Sequence, residues 1–170
     1  MSMLGTSVIR KEDPQLLTEG GRYVDDLPAE GALHVVFVRS PIAHGELGEI
    51  EIDDALGMPG VVGVYTAADL GIEPRPPSMP MFNKAMLRSF LAIDRVRFVG
   101  EPIAAVVAET HLQAADAAEA VYADIEMLDP VVSVHDAISD EVLLHPEAGT
   151  NTVFALPPSG ADVFADCEVT

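Results

Sequence analysis

Tryptophan is absent from this sequence, aromatic residues make up only 5% of it, and a single cysteine, Cys167, stands near its end. With one cysteine, no disulfide can form within the chain, which fits a reducing compartment. The shortage of aromatics means that a core must be built from Val, Ile, Leu, Ala and Met. At 49% apolar residues there are enough of these to exclude a disordered chain. Basic residues are also few: 9 against 28 acidic ones, a formal net charge of −19. Such a surface repels a phosphate backbone and an anionic membrane alike, so neither is an expected partner. The acidity serves solubility, or part of it faces a basic partner surface. The start, Met1-Ser2-Met3-Leu4-Gly5, lacks the basic residues and apolar run of a signal peptide, and no apolar stretch approaches the ~20 residues that span a bilayer. A soluble, cytoplasmic protein is expected.

The 170 residues suffice for one domain with a real core, or one domain and a tail. Residues 1–32 read as mostly irregular, broken by Gly20-Gly21 and by the turn Asp25-Asp26-Leu27-Pro28. Leu33 to Arg39 is a β-rich run with apolar residues on both faces, hence an expected buried strand ended by Ser40-Pro41. Gly45 to Asp53 alternates in the manner of a half-exposed strand, Asp53 opens a helical turn, and Pro59-Gly60 forms a turn before a third strand, Val61 to Thr66. Four prolines between residues 74 and 80 forbid regular structure there, yet Met79, Met81, Phe82, Met86, Leu87 and Phe90 load the same loop with apolar groups. The loop 73–90 packs on its own domain or docks on a neighbouring one. A strand is expected over Leu91 to Val99, and a central strand over the continuous apolar run Ile103 to Ala108. Thr110 and Gln113 form a capping box for a helix reaching about Tyr122, whose dry stripe of Ala114, Ala117, Ala118 and Val121 lets it lie close on a sheet. With a strand from Ala123 to Leu128 this makes a βαβ unit. Combined with the short connections earlier in the chain, the fold class is α+β.

Chemistry is thinly represented. The five histidines, His34, His44, His111, His135 and His145, show no zinc-ligand spacing with one another, with cysteine or with carboxylates. Ser40 and His44 invite comparison with a hydrolase pair, but Pro41 follows the serine directly and no nucleophile elbow surrounds it, so a structural role is expected. Cys167 has no general base in view. Neither G-x-x-x-x-G-K-[ST] nor G-x-G-x-x-G occurs. Glu101, between Gly100 and Pro102, is either a functional carboxylate or an acceptor for turn amides, the second being preferred. The Arg39 fork is suited to clamping a carboxylate or backbone carbonyls. No catalytic, cofactor-binding or metal-binding residue is assigned.

Four stretches taken in order resemble one family. They are Gly5 to Asp13 (GTSVIRKED) with Leu16-Leu17-Thr18, Gly21-Arg22-Tyr23-Val24-Asp25-Asp26, Arg39-Ser40-Pro41-Ile42-Ala43-His44-Gly45, and Val96 to Ala108 (VRFVGEPIAAVVA). This looks like the front of the molybdopterin-binding large subunit of the xanthine dehydrogenase, aldehyde oxidase and carbon monoxide dehydrogenase family. Where that family has Thr-Gly after the paired leucines, Glu19 follows Thr18 here and the glycines come at 20 and 21. The resemblance implies an α/β hammerhead, which agrees with the α+β class read from the pattern, a mixed sheet with one main helix in a βαβ unit. It also implies an N-terminal extension over 1–19, the hammerhead over 20–130, a linker or tail over 131–159, and over 160–170 the start of a following molybdopterin-binding domain.

For the whole protein the resemblance implies an oxidoreductase with a molybdenum–molybdopterin (cytosine dinucleotide) cofactor. Iron–sulfur clusters and FAD would be carried by partner subunits or domains. This chain would hold none of these groups and be inactive alone, its partners being the remaining molybdopterin-binding domains and the iron–sulfur and flavin units. The alternative is a free-standing acidic binding module that reuses the fold.

Overall fold

A computed structural model describes residues 5, 7, 10–21, 23–27 and 29–156. The strand-like character read over residues 160–170, and Cys167 with it, lie outside the described residues. The chain divides into two compact units, Met1–Ala32 and Leu33–Thr170.

The first unit is less irregular than expected, because Asp13–Thr18 forms a short helix, α1. Pro14 sits in its first turn, where a missing N–H costs nothing, and Thr18 Oγ1 donates to Pro14 O at 2.7 Å. A single 3₁₀ turn follows at Val24–Asp26, fixed by Tyr23 N donating to Asp26 Oδ2 at 2.9 Å.

In the second unit the strands are β1 (His34–Arg39), β2 (Gly45–Glu51), β3 (Val61–Thr66), β4 (Arg95–Val96), β5 (Pro102–Ala108) and β6 (Tyr122–Met127). They form two three-stranded sheets, β1-β5-β3 and β4-β2-β6, in which every pairing is antiparallel. The α+β class holds, whereas the expected single mixed sheet is two antiparallel ones. The βαβ unit is likewise absent: β5 already carries β1 on one edge and β3 on the other, so β6 joins β2 in the second sheet. The helix between them, α4 (His111–Glu119), is therefore a bridge between sheets, and it ends before Tyr122. Its N-cap Thr110 accepts from Gln113 N at 3.3 Å, while the Gln113 side chain meets the Thr hydroxyl at 2.8 Å in place of its amide.

Two small cores result. Ala55, Val64, Ala104, Val106, Ala108, Ala114, Ala117 and Val121 pack the first sheet against α4, with alanine on both surfaces allowing close approach. Leu47, Ala92, Val96 and Ile103 form the second. The expectation of a β1 buried on both faces fails. Val36 and Val38 point into the core, but Val35 and Phe37 remain 49% and 43% exposed. Period-2 alternation wins over composition: an edge strand with helix on one side keeps its other face open. Within β5 the same alternation leaves Ala105 and Val107 half-buried beside them, while Ile103 reaches the second core.

The register of β2 shifts between Leu47 and Ile50, so that both of these apolar residues face inward despite their odd spacing. Only Arg95–Val96 of the strand expected over 91–99 pairs regularly. The rest of that stretch is held by single bonds, Ala92 N to Pro102 O at 2.8 Å and Leu47 N to Asp94 O at 2.9 Å. Two further one-turn helices, α2 (Asp53–Leu56) and α3 (Ala67–Leu70), flank β3, the second capped by Thr66 N donating to Asp69 Oδ2 at 2.7 Å.

The stretch 131–156 folds back on itself through α5 (Val134–Ser139) and a 3₁₀ turn at Pro146–Ala148. Asn151 staples it: Nδ2 donates to Val142 O at 2.7 Å and Oδ1 accepts from Leu144 N at 3.0 Å. The loop 73–90 packs against this stretch, with Asn83 N donating to Val153 O at 2.8 Å and the rings of Phe82 and Phe154 5.9 Å apart.

Candidate functional site

The residues singled out in the sequence converge on one corner. Ser40 N donates to Glu101 O at 2.9 Å, Gly100 N donates to Ser40 O at 2.8 Å, and Arg39 Nη1 donates to Gly100 O at 2.8 Å. The segments Arg39–Gly45 and Val96–Pro102 are thus clasped backbone to backbone. The Glu101 carboxylate turns inward to accept from Arg97 N, as the turn-amide reading requires. Arg39 clamps a carbonyl, with its guanidinium 5.7 Å from the centre of the Phe37 ring.

Ser40 and His44 are 2% and 3% exposed, and each is engaged locally. Ser40 Oγ donates to Ile42 O at 2.8 Å and accepts from Ile42 N at 3.2 Å. His44 Nδ1 lies 2.8 Å from Asp129 O. A carbonyl only accepts, so Nδ1 carries the proton, and the ring ties the start of β2 to the end of β6. Nε2 is buried with no hydrogen-bond partner among the described residues. No bond joins Ser40 to His44 among them, and neither residue lines a groove described below, which removes the geometry a hydrolase would need.

The remaining histidines scatter. His34 and His111 meet edge to face with ring centres 6.4 Å apart, a contact that sequence spacing hides but the strand–helix turn from β5 into α4 creates. His135 lies exposed on α5. His145 sits in a groove, where burial, and then the charges of Arg97 and Arg88, lower its pKa below the ordinary 6.5 against the opposing pull of Glu147. Among the described residues no group of three or more His, Cys, Asp or Glu side chains is placed to hold a metal ion. No helix among them is long and apolar enough to cross a membrane.

The concavity with most character lies over the loop 73–90. One trough of about 720 Å³ is lined by Arg75, Met79, Phe82, Arg88, Phe90 and their neighbours. It shares Arg88, Ser89, Phe90, Leu144 and His145 with a second of about 610 Å³ that adds Arg97 and Glu101. Arg97 pins its floor, donating from Nε to Leu144 O at 2.9 Å. Composition flagged this loop as unusual; the bridge that brings Arg75 to Arg88 left no sequence signal.

Two antiparallel sheets, clasped at a corner and bridged by one alanine-faced helix, define a small α+β domain of the hammerhead type. The chain belongs to the aldehyde oxidase and xanthine dehydrogenase a/b hammerhead domain family, whose model matches residues 18–129. It is 40% identical to the nicotine 6-hydroxylase large subunit of Paenarthrobacter nicotinovorans over 81% of this chain and 17% of that protein. It is 38% identical to the carbon monoxide dehydrogenase large chain of Hydrogenophaga pseudoflava over 77% of this chain and 16% of that one. Among solved structures, quinoline 2-oxidoreductase from Pseudomonas putida 86 superposes with a TM-score of 0.72 at 38% identity, over 81% of this chain and 18% of that one. The chain therefore spans about one sixth of the length of these relatives. For the molybdenum that the family resemblance implies for a whole enzyme, the described residues bring no three His, Cys, Asp or Glu side chains together as ligands.

Proposed function

We propose that this chain is a structural module of a molybdenum hydroxylase large subunit and takes no part in the chemical step. The observation that carries this is where the chemistry-bearing side chains go. Arg39, Ser40, His44 and Glu101 all bind backbone groups of their own unit; Ser40 and His44 line neither trough, and Glu101, which lines the second, spends its carboxylate on the Arg97 amide. The clasp they build holds the two sheets in one orientation, which suits a scaffold beside cofactor domains.

In the whole enzyme a molybdenum–pterin group would supply hydroxylation of a carbon centre, or oxidation of carbon monoxide, with water as the oxygen source. Electrons would leave through iron–sulfur clusters and a flavin in partner domains or subunits, and the compartment would be the cytoplasm. The test is elemental analysis and a dye-reduction assay on the purified 170-residue chain. Molybdenum well below one atom per chain and no dehydrogenase activity are expected. Stoichiometric molybdenum overturns the proposal.

A further inference from the structure

Arg75 and Arg88 form an isolated antiparallel bridge, exchanging both backbone bonds at 2.8 and 2.9 Å. Directly opposed residues of such a bridge project to the same side, so two arginine side chains leave the backbone together, a pairing that like charge disfavours. Three other arginines, Arg10, Arg95 and Arg97, have a carboxylate within 4.0 Å; among the described residues neither Arg75 nor Arg88 has one. This happens in a chain with 28 acidic residues. The trough that the pair lines contains no Asp or Glu. The one acid in its continuation, Glu101, faces the Arg97 amide. The floor is apolar and open: Phe90 is 61% exposed, Met79 48% and Leu87 46%, with the Arg75 guanidinium 5.9 Å from the centre of the Phe90 ring. A positive, apolar island on a strongly negative molecule is complementary to a ligand that carries carboxylates next to apolar side chains. The two troughs share Arg88, Ser89, Phe90, Leu144 and His145 as lining and are open to solvent, a form that suits an extended chain better than an enclosed small molecule.

We infer that the Arg75–Arg88 groove is the docking site of an extended acidic protein segment, its carboxylates paired by the two arginines and an apolar side chain seated among Met79, Phe82 and Phe90. This rests on the reading of the chain as one module of a larger enzyme, and it names a surface by which the module is held. His145, flanked by Arg97 and Arg88, would follow the docking through the positive field around it.

The test is fluorescence anisotropy with a labelled Glu-Leu-Glu-Phe-Asp-Leu peptide and its amide counterpart, Gln-Leu-Gln-Phe-Asn-Leu, at low salt. The acidic probe should bind, about ten-fold more tightly than the amide one. Added sodium chloride should weaken it, and it should lose about ten-fold in the Arg75→Gln/Arg88→Gln variant but not in Arg95→Gln. Circular dichroism checks that each variant is folded; if the double variant is not, the single Arg88→Gln variant and the salt series decide. Equal binding of the two peptides, or undiminished binding to the arginine variant, overturns the inference. Competition by inorganic phosphate as effective as by unlabelled peptide also overturns it and marks a small-anion site. Anisotropy is independent of molybdenum content, so failure here leaves the module reading standing, and molybdenum in the isolated chain would sink that reading without touching this result.

Discussion

Gly45 tests the clasp at its tightest point. It opens β2 and pairs with both Val96 of β4 and Met127 of β6. A methyl group placed on it would lie 2.7 Å from Glu126 O, 2.7 Å from Ile125 Cγ2 and 2.8 Å from Ile42 Cδ1. The two side-chain tips can rotate, but the carbonyl belongs to the neighbouring strand, so Gly45→Ala must push β6 away from β2. Overpacking of this kind costs about 1–3 kcal/mol. The loss of backbone freedom in the unfolded chain returns about 0.4–1 kcal/mol. A net destabilisation of about 1–2 kcal/mol follows, which at an m-value of about 2 kcal/mol per molar urea lowers the unfolding midpoint by roughly 0.5–1 M. Gly48→Ala is the internal control: its methyl would meet nothing closer than Asp124 Oδ2 at 3.2 Å, a side-chain tip and not backbone. Urea titrations followed by circular dichroism, run on both variants beside the parent, measure the difference. If Gly45→Ala unfolds at the parental midpoint, the close approach of β2 and β6 described above is wrong.

The Asn151 staple and His145 give two further expectations. Asn151→Ala leaves Val142 O and Leu144 N without their partners, at a cost of about 1–3 kcal/mol. Hydrogen exchange should quicken at Leu144 and through 140–153 while amides of β5 keep their protection, and uniform slow exchange would refute the staple. By NMR titration His145 should protonate below 6.5, first because it is buried and then because Arg97 and Arg88 stand near it, and Arg97→Gln should move the midpoint upward. The folded state favours the neutral ring, so its contribution to stability is present above pH 6.5 and is lost as the pH falls through the folded midpoint. A titration at or above 6.5 would contradict the surroundings described.

Elements with strong local signals were legible in the sequence: the Val61–Thr66 strand, the Thr110-capped helix and the Gly45 strand all stand where pattern put them. Pairing was not. Nothing local distinguishes a β6 that lies parallel to β5 in one sheet from a β6 that pairs β2 in another; that depends on β5 having both edges occupied. Burial of β1 is not a local property either. Val35, Val36, Phe37 and Val38 are equally apolar, and only the single helix over the sheet decides which pair faces solvent. Asp13-Pro14 does signal the first turn of α1, but a helix of six residues carries too little apolar period to stand out beside Gly20-Gly21.

The corner of Arg39, Ser40, His44 and Glu101 shows why residue identity alone misleads about function. A serine, a histidine and a carboxylate converge here, in segments 61 residues apart by the Arg39–Gly100 bond, and two of them are almost fully buried. Buried polar atoms are as a rule hydrogen-bonded, and the partners available where two strands cross are carbonyls and amides left over by the register; among the described residues only His44 Nε2 is left without one. Ser40 therefore turns back on Ile42, His44 on Asp129 O, and Glu101 on Arg97 N. An arrangement built to react would keep such a group free in a cavity, whereas Ser40 and His44 line neither trough and Glu101, which lines the second, is taken up by the Arg97 amide. The arginines at 75 and 88 do the reverse: they are charged, lack a carboxylate partner among the described residues and line an open groove. For this chain the physical mark of function is an unneutralised charge beside exposed apolar surface, and that mark lies on the proline-rich loop and not at the clasp.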